Sequence, residues 1–185
     1  WRMLKVDYVL VGRLSPLADG RFEVRYERVS VANGQRLLGT SLPADRNALK
    51  QASHRVADAV YERILGVRGA FSTRIAYVAV DGPATARSYR LVVTDADGAN
   101  ERVVFASPQP IMSPAWSPDG RSLAYVSFHS GLPGIYVQTL RTGEQVRVVG
   151  GYQRVFRPEA AGDGRYLAFG TVIDGAHTLM LRTLE

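Results

Sequence analysis

The chain has 185 residues, of which 46% are hydrophobic, and it carries a formal net charge of +6 and no cysteine. This composition is ordinary for a globular protein with a buried core, and the lack of cysteine excludes disulfide bonds and thiolate chemistry. No apolar run reaches the ~18 residues of a membrane-spanning helix. The basic residues are scattered, without the stripe or module that nucleic-acid binding requires, so we interpret them as a solvated surface.

The first part of the chain reads as an antiparallel meander. An apolar run at 7–11, an alternating run at 21–27 and a third run at 36–40 have the character of strands. They are separated by two turn signals, Ala18-Asp19-Gly20 and Asn33-Gly34.

A helix is predicted after Pro43. Asp45 is a good N-cap and Gly66 lies where a C-terminal glycine cap belongs. Between them the apolar residues recur at three- and four-residue spacing, as expected of a helix on a sheet: Leu49, Ala52, Val56, Val60 and Ile64. Residues 1–68 are therefore predicted to form an α+β unit of antiparallel strands plus one helix, a thin pair of layers that lacks earlier elements.

His54 and Asp58 lie four residues apart on this helix, the spacing of a general base and the carboxylate that orients it. Nothing nearby in the sequence supplies a nucleophile. We therefore favour a structural polar contact with the neighbouring strands. Two glycines, Gly66 and Gly69, then predict a tight joint, with Phe71 packed at it.

The strongest signal in the sequence is a repeat of 44 residues. Pro114, Asp119 and Gly120 have counterparts 44 positions later in Pro158, Asp163 and Gly164. The segment Ser117-Pro118-Asp119-Gly120 is a tight turn, since proline fixes one φ angle and glycine accepts a positive one. A period of this length built from short strands is typical of four-stranded β-propeller blades.

Residues 69–185 are accordingly predicted to be the first blades of an all-β propeller. The predicted strands fall into three groups: 74–80, 88–94 and 101–105; then 112–116, 122–128, 134–140 and 145–149; then 154–160, 166–172 and 177–184. The 112 residues from position 74 onward amount to about 2.5 repeats, fewer than the four blades of the smallest propellers. The chain is therefore expected to be a piece of a longer one.

Motifs for catalysis and cofactors are missing from the sequence. There is no Gly-x-Ser-x-Gly segment and no phosphate-binding loop, and the three histidines lack metal-ligand spacing. His129 and His177 lie near predicted inter-strand loops and are interpreted as solvated. We predict no catalytic residue, no metal site, no cofactor and no nucleic-acid partner. Trp116 on an inner strand is interpreted as a blade-packing aromatic rather than a pocket wall.

Two stretches carry a resemblance to a known family. The segment 65–78, which includes the joint, and the segment 107–128, which includes the tight turn, closely resemble the TolB family of the Tol-Pal envelope system of Gram-negative bacteria. Asp95-Ala96-Asp97-Gly98-Ala99-Asn100 and the helix pair Ser53-His54 match as well. The resemblance covers nearly the whole chain and is most specific over residues 65–128.

The resemblance implies an α/β N-terminal domain, of which residues 1–68 are the C-terminal part, followed by a six-bladed propeller. It also implies a non-catalytic function in the periplasm. It implies binding of the lipoprotein Pal at the propeller face, and of TolA through an N-terminal segment that this sequence lacks. Other envelope proteins are possible partners, and contact with the membrane is expected only through partners. The implied role is in outer-membrane integrity, cell division and protein transport across the envelope.

The binding surface is expected on two loops that link the outer strand of one blade to the inner strand of the next. The second loop departs from the family pattern, so the contact with Pal is expected to be redrawn, with arginines as its charged members. The predicted partner-binding residues are Gln109, Pro110, Met112, Ser113, Tyr152, Gln153, Arg154 and Arg157.

Alternatives stay open at this stage. The prolines of the first loop could merely shape the crossover, and the arginines of the second could be solvated. The propeller could instead belong to a serine peptidase, which a Gly-x-Ser-x-Gly segment further along the chain would reveal. It could also be a sensor that binds a small ligand in its channel.

Overall fold

The chain forms two compact units in a computed structural model that describes residues 1–184, apart from the side chains of Arg2 and Leu38. The first unit is Trp1–Thr73 and the second begins at Arg74. Residue 185, the last of the predicted propeller portion, lies outside the described residues. The domain boundary predicted after residue 68 stays a prediction, although residues 69–73 belong to the first compact unit.

The first unit contains a three-stranded antiparallel sheet in the order β1-β2-β3. Its strands are β1 (Tyr8–Pro16), β2 (Phe22–Ser30) and β3 (Arg36–Ala44). Their existence and order were predicted, but they are longer than the apolar runs indicated. Strand β1 pairs with β2 without interruption from Tyr8 to Pro16, because the backbone hydrogen bonds between strands form whether the side chains are apolar or polar.

One helix covers the sheet. After a 3-10 turn at Arg46–Ala48, helix α1 runs over Leu49–Leu65 and lies against β2 and β3, with Ala52 and Val56 buried. The predicted side-chain cap is wrong: Asp45 makes no capping bond with its side chain. Gly66 ends the helix as predicted, at φ 73°, and its N–H donates to the Glu62 carbonyl. No helix among the described residues is both long and apolar enough to span a membrane.

The second unit consists of three antiparallel sheets, and this confirms the predicted propeller blades. Their orders are β4-β5-β6, β7-β8-β9-β10 and β11-β12-β13. The strands are β4 (Arg74–Asp81), β5 (Ser88–Asp95), β6 (Arg102–Ser107), β7 (Ile111–Trp116), β8 (Ser122–Ser127), β9 (Gly134–Thr139), β10 (Gln145–Val149), β11 (Val155–Ala160), β12 (Tyr166–Ile173) and β13 (Ala176–Thr183).

The repeated turn has the same geometry in the second and third blades. The Gly120 N–H donates to the Ser117 carbonyl at 2.9 Å, and Gly120 adopts φ 67°. Its counterpart Gly164 donates to the Ala161 carbonyl at 2.8 Å and adopts φ 70°. In each turn the aspartate before the glycine accepts the N–H two residues on, so the local sequence dictates the hairpin.

The middle blade buries both of its faces. Leu123 and Tyr125 of β8 belong to a core shared with Leu91 and Val93 of the first blade. The residues that alternate with them, Ala124 and Val126, belong to a second core shared with the third blade through Val155, Leu167 and Phe169. Successive side chains of a strand point to opposite faces, so one strand serves two interfaces.

A buried polar link crosses the interface between the first and middle blades. The Gln138 side chain, 3% exposed, donates from Nε2 to the Val104 carbonyl of β6 at 2.9 Å. The Tyr125 hydroxyl donates to Gln138 Oε1 at 3.2 Å. Burial raises the pKa of the Tyr125 phenol well above its ordinary value, so it stays a donor. These hydrogen bonds therefore fix the position of the first blade against the middle blade without a charged group.

The outward face of the third blade is built like the packed face of the middle blade. Leu179 and Leu181 occupy the repeat positions of Ile135 and Val137. Ile135 is fully buried, whereas Leu179 and Leu181 are 77% and 70% exposed. This face therefore presents apolar side chains of the type that join one blade to the next.

We predict that Gln138→Glu destabilises the protein in a pH-dependent way. A carboxylate cannot donate to the Val104 carbonyl, so the charged variant should lose on the order of 1–3 kcal/mol of unfolding free energy. The folded-state pKa of the new carboxyl would lie above its unfolded value. The stability should therefore recover at low pH and fall as the pH rises through the folded-state pKa. Thermal unfolding against pH tests this, with the exposed Gln153→Glu as control; equal melting profiles would contradict it.

We also predict that the 185-residue chain self-associates through the outward face of its third blade. Replacing both Leu179 and Leu181 by lysine should shift it toward the monomer, because charges oppose apolar stacking. Light scattering after size exclusion measures the effect. Val103→Lys with Val146→Lys adds the same charge to outer strands as control. A monomeric wild-type chain would contradict the prediction.

Candidate functional site

The two loops predicted to bind a partner lie on the same face of the second unit. Each one leads into an inner strand, the first into β7 and the second into β11, and these strands are neighbours. Because the strands within each blade are antiparallel, the turns at 117–121 and 161–165 lie at the opposite end. We call the end with the two loops the loop face and the other end the turn face.

The first loop is tied down at both ends. The Gln109 N–H donates to the Ser107 hydroxyl at 2.9 Å, and the Pro110 carbonyl accepts the Phe128 N–H at 3.1 Å. The next residue, Ile111, is 2% exposed, whereas Met112 is 41% exposed. The loop therefore holds an apolar side chain at the surface on a fixed backbone.

The second loop is held in the same manner. The buried Thr171 hydroxyl donates to the Arg154 carbonyl at 2.7 Å. Tyr152 is half-buried and packs edge-on against Phe169, with ring centroids 6.0 Å apart. Gln153, Arg154 and Arg157 are exposed. Arg154 occupies the repeat position of Pro110, so in both loops the carbonyl at this position accepts a hydrogen bond. The two loops differ in the side chains that they expose.

Both inner strands have a strained residue that the sequence did not reveal. Ser113 and Arg157 occupy equivalent repeat positions and adopt φ 51° and 49°, although each precedes a proline. A residue before proline normally adopts extended backbone, and a non-glycine residue at positive φ is uncommon. In each strand the pairing register shifts at this point, which marks a bulge. Bulges of this kind re-aim side chains at the edge of a site.

The two arginines of the loop face are without a charge partner in the part of the chain that the structure describes. The side chains of Arg154 and Arg157 make no ion pair or hydrogen bond there. A guanidinium can form two parallel bonds with a carboxylate. The loop face therefore offers two available cations and a surface methionine, a combination suited to an acidic partner.

The loop between β8 and β9 adds a histidine to this face, which sequence reasoning interpreted as simply solvated. His129 is exposed, but its ring lies between Tyr136 and Phe105, at 4.4 and 5.3 Å between centroids. Its Nδ1 is 2.9 Å from the hydroxyl of buried Ser127. Sequence spacing cannot reveal these contacts, since Phe105 belongs to the neighbouring blade. His177, also interpreted as solvated, packs near Phe156 at 5.8 Å.

Asp58 of the first unit has a structural role, as we favoured, but it bonds to residues that follow the helix rather than to the neighbouring strands. Its carboxylate accepts the Phe71 N–H at 2.7 Å, the Ser72 N–H at 3.0 Å and the Ser72 hydroxyl. Partial desolvation raises the pKa of Asp58, but the bonds from Ser72 and Phe71 and the charge of Arg68 outweigh it and hold the pKa below its usual value. These bonds fold residues 70–73 back onto the helix.

Two neighbouring residues support this fold-back. A Cβ atom on Gly69 would lie 2.7 Å from the Cα of Asp58, so only glycine fits there. Phe71 packs edge-on against Tyr61, with centroids 5.6 Å apart. The segment that Gly66 and Gly69 predicted to be a tight joint therefore packs on the helix.

Among residues 1–184, no group of three or more His, Cys, Asp or Glu side chains could hold a metal ion.

Comparisons with known proteins place this geometry in a family. The model of the TolB beta propeller domain matches residues 61–185. Curated relatives named "Tol-Pal system protein TolB" include one from Xanthomonas oryzae pv. oryzae, 50% identical over 143 residues, and one from Xanthomonas campestris pv. campestris, 48% identical over 143 residues. In both cases the match covers 77% of this chain and 33% of the relative, so the chain spans about a third of their length.

A solved structure agrees over nearly the whole chain. The crystal structure of TolB from Acinetobacter baumannii superposes with a TM-score of 0.83 at 38% identity. The superposition covers 98% of this chain and 45% of the Acinetobacter baumannii chain.

We predict that Asp58→Asn destabilises the first unit by about 1–3 kcal/mol, because an amide cannot accept bonds from two backbone N–H groups and a hydroxyl as a carboxylate does. The pKa of Asp58 is lowered by folding, so its contribution is present above the unfolded pKa and is lost as the pH falls through the folded pKa. The variant should therefore show a flatter loss of stability in acid.

Denaturant unfolding at several pH values measures this effect. Asp45→Asn is the matched control, since the Asp45 side chain makes no capping bond. Equal stability of Asp58→Asn and Asp45→Asn at neutral pH would contradict the prediction.

Proposed function

Because the chain belongs to the TolB beta-propeller family, we propose that it is a non-catalytic scaffold of the Tol-Pal system that binds the lipoprotein Pal through the loop face. The observation that supports this best is the pair of equivalent, anchored loops side by side on neighbouring inner strands. Rigid loops lose little conformational entropy when a partner docks. The proposal places the protein in the periplasm, with a role in outer-membrane integrity and cell division.

The proposed contact has an apolar part and a charged part. Met112 supplies an adaptable apolar surface, and Gln109 and Pro110 lie beside it on the first loop. Arg154 and Arg157 supply the charged part, and an acidic surface on Pal would pair with them. The strain at Ser113 and Arg157 supports the same assignment, since it persists only where the surroundings enforce it.

The third blade departs from the middle blade at one cross-strand pair of residues at this site. The pair Met112 and Val126 is replaced by Phe156 and Gly170. A side chain on Gly170 would overlap the ring of Phe156, so the larger residue on one strand requires the smaller on the other. The pairing of the two strands is therefore kept while their side chains change, which supports a redrawn contact with Pal.

We assign TolA, the other proposed partner, to the N-terminal segment of the family rather than to the loop face. This assignment separates the two partners experimentally, since a change on the loop face should leave TolA binding intact. Other envelope proteins could share the loop face. The proposal involves no enzymatic step.

We predict that Arg154→Ala combined with Arg157→Ala weakens Pal binding by the full-length protein. Each desolvated guanidinium that is lost should cost on the order of 1–2 kcal/mol. Calorimetry with purified Pal measures the loss. The control is Arg121→Ala with Arg165→Ala, which removes the same charge from two equivalent positions of the turn face. Unchanged affinity for Pal in a folded variant, or equal weakening in the control, would contradict the assignment of the site.

A further inference from the structure

The turn face contains a cavity lined by four arginines. It lies between the first and middle blades and has a volume of about 760 Å³. Arg74 comes from the start of β4 and Arg102 from the start of β6, while Arg121 and Arg141 come from the two turns of the middle blade. The other lining residues are Gly120, Thr139 and Leu140, so none of the described residues of the wall is acidic.

Two of the four guanidinium groups are held by the backbone. Arg74 donates from Nη2 to the Gly120 carbonyl and lies over the Trp116 ring, 4.7 Å from its centroid. Both Nη atoms of Arg102 donate to the Leu140 carbonyl at 3.3 Å. These contacts orient the guanidinium groups, but a carbonyl does not neutralise their charge.

Two carboxylates close in sequence to these arginines, Glu101 and Asp119, already accept hydrogen bonds. Glu101 accepts the hydroxyl of Tyr77 at 3.0 Å. Asp119 accepts the Ser117 hydroxyl at 2.6 Å and the Arg121 N–H at 3.0 Å, and its oxygen is 4.0 Å from Arg121 Nε. Within residues 1–184, Arg74, Arg102 and Arg141 form no ion pair. The cavity therefore concentrates positive charge, which favours an anion with more than one charge.

From this arrangement we propose that the cavity between the first and middle blades binds a phosphate-bearing anion. A phosphate group offers several acceptor oxygens, and planar guanidinium groups bind it through parallel bonds. The cavity volume lies within the range of small-molecule sites. Protein interfaces instead rely on exposed aromatic or apolar anchors, whereas the Trp116 ring beside this cavity lies under Arg74.

The repeat supplies a matched control for this site. Arg165 occupies in the third blade the position that Arg121 occupies in the middle blade, yet it does not line the cavity. Arg87 lies in the loop between β4 and β5, away from the cavity wall. Arg121 and Arg141 are exposed, and the one ion pair between them and the described residues is the exposed 4.0 Å contact of Arg121 with Asp119, so both can be changed without unfolding the blade.

The test is calorimetric titration of the full-length protein with pyrophosphate at low ionic strength, where charge attraction is least screened. Arg121→Gln with Arg141→Gln should lower the affinity by about tenfold or more, since two of four charge-assisted contacts are lost. Arg87→Gln with Arg165→Gln should change it by less than about twofold. Failure of the wild-type protein to bind pyrophosphate, or equal weakening in both double variants, would overturn the proposal.

A second arm separates the two sources of phosphate. Vesicles with and without phosphatidylglycerol are sedimented with the protein, and pyrophosphate is added as competitor. Charge-dependent sedimentation that pyrophosphate reverses supports a lipid headgroup as the ligand. Pyrophosphate binding without vesicle binding supports a free phosphate compound. Binding of polyglutamate in the absence of pyrophosphate binding would overturn the proposal in favour of an acidic protein segment.

Discussion

The second unit depends on one constraint: a blade must bury both faces of its sheet against its neighbours. In the middle blade, Leu123 and Tyr125 satisfy this on one side and Ala124 and Val126 on the other. A fully buried leucine or valine side chain contributes about 1.5–3 kcal/mol through the hydrophobic effect. The polar side chains that this blade buries, Gln138 and Ser127, both have hydrogen-bond partners.

This stacking determines where function can reside. It brings the inner strands together, so the loops that enter them gather at one end and the turns that follow them at the other. The stacked sheets also fix the backbone of those loops, through hydrogen bonds from Phe128 to the Pro110 carbonyl and from Thr171 to the Arg154 carbonyl. Side chains can therefore change from blade to blade while the backbone that presents them stays the same, and proline in one loop becomes arginine in the next.

The sequence predicted most of this architecture because its signals are local or repeated. The turn chemistry of Asp119 and Gly120 requires no distant contact, and the 44-residue repeat transfers it to the third blade. The predicted cap by Asp45 is wrong because a 3-10 turn precedes the helix and moves its first residue away from the side chain. The left-handed conformations of Ser113 and Arg157 contradict the local preference before proline, so only the packing of whole strands explains them.

The two ends of the blades use arginine in different ways, and this difference could not be predicted from composition. On the loop face, Arg154 and Arg157 extend from anchored loops, and their side chains have no partner among the described residues. On the turn face, Arg74 and Arg102 are oriented by backbone carbonyls from a neighbouring blade. A scattered set of basic residues in sequence thus becomes two distinct charged surfaces, because stacking brings together residues that are tens of positions apart. The first suits an extended acidic surface and the second a compact anion, since exposed flexible cations pair weakly one at a time whereas oriented guanidinium groups act together.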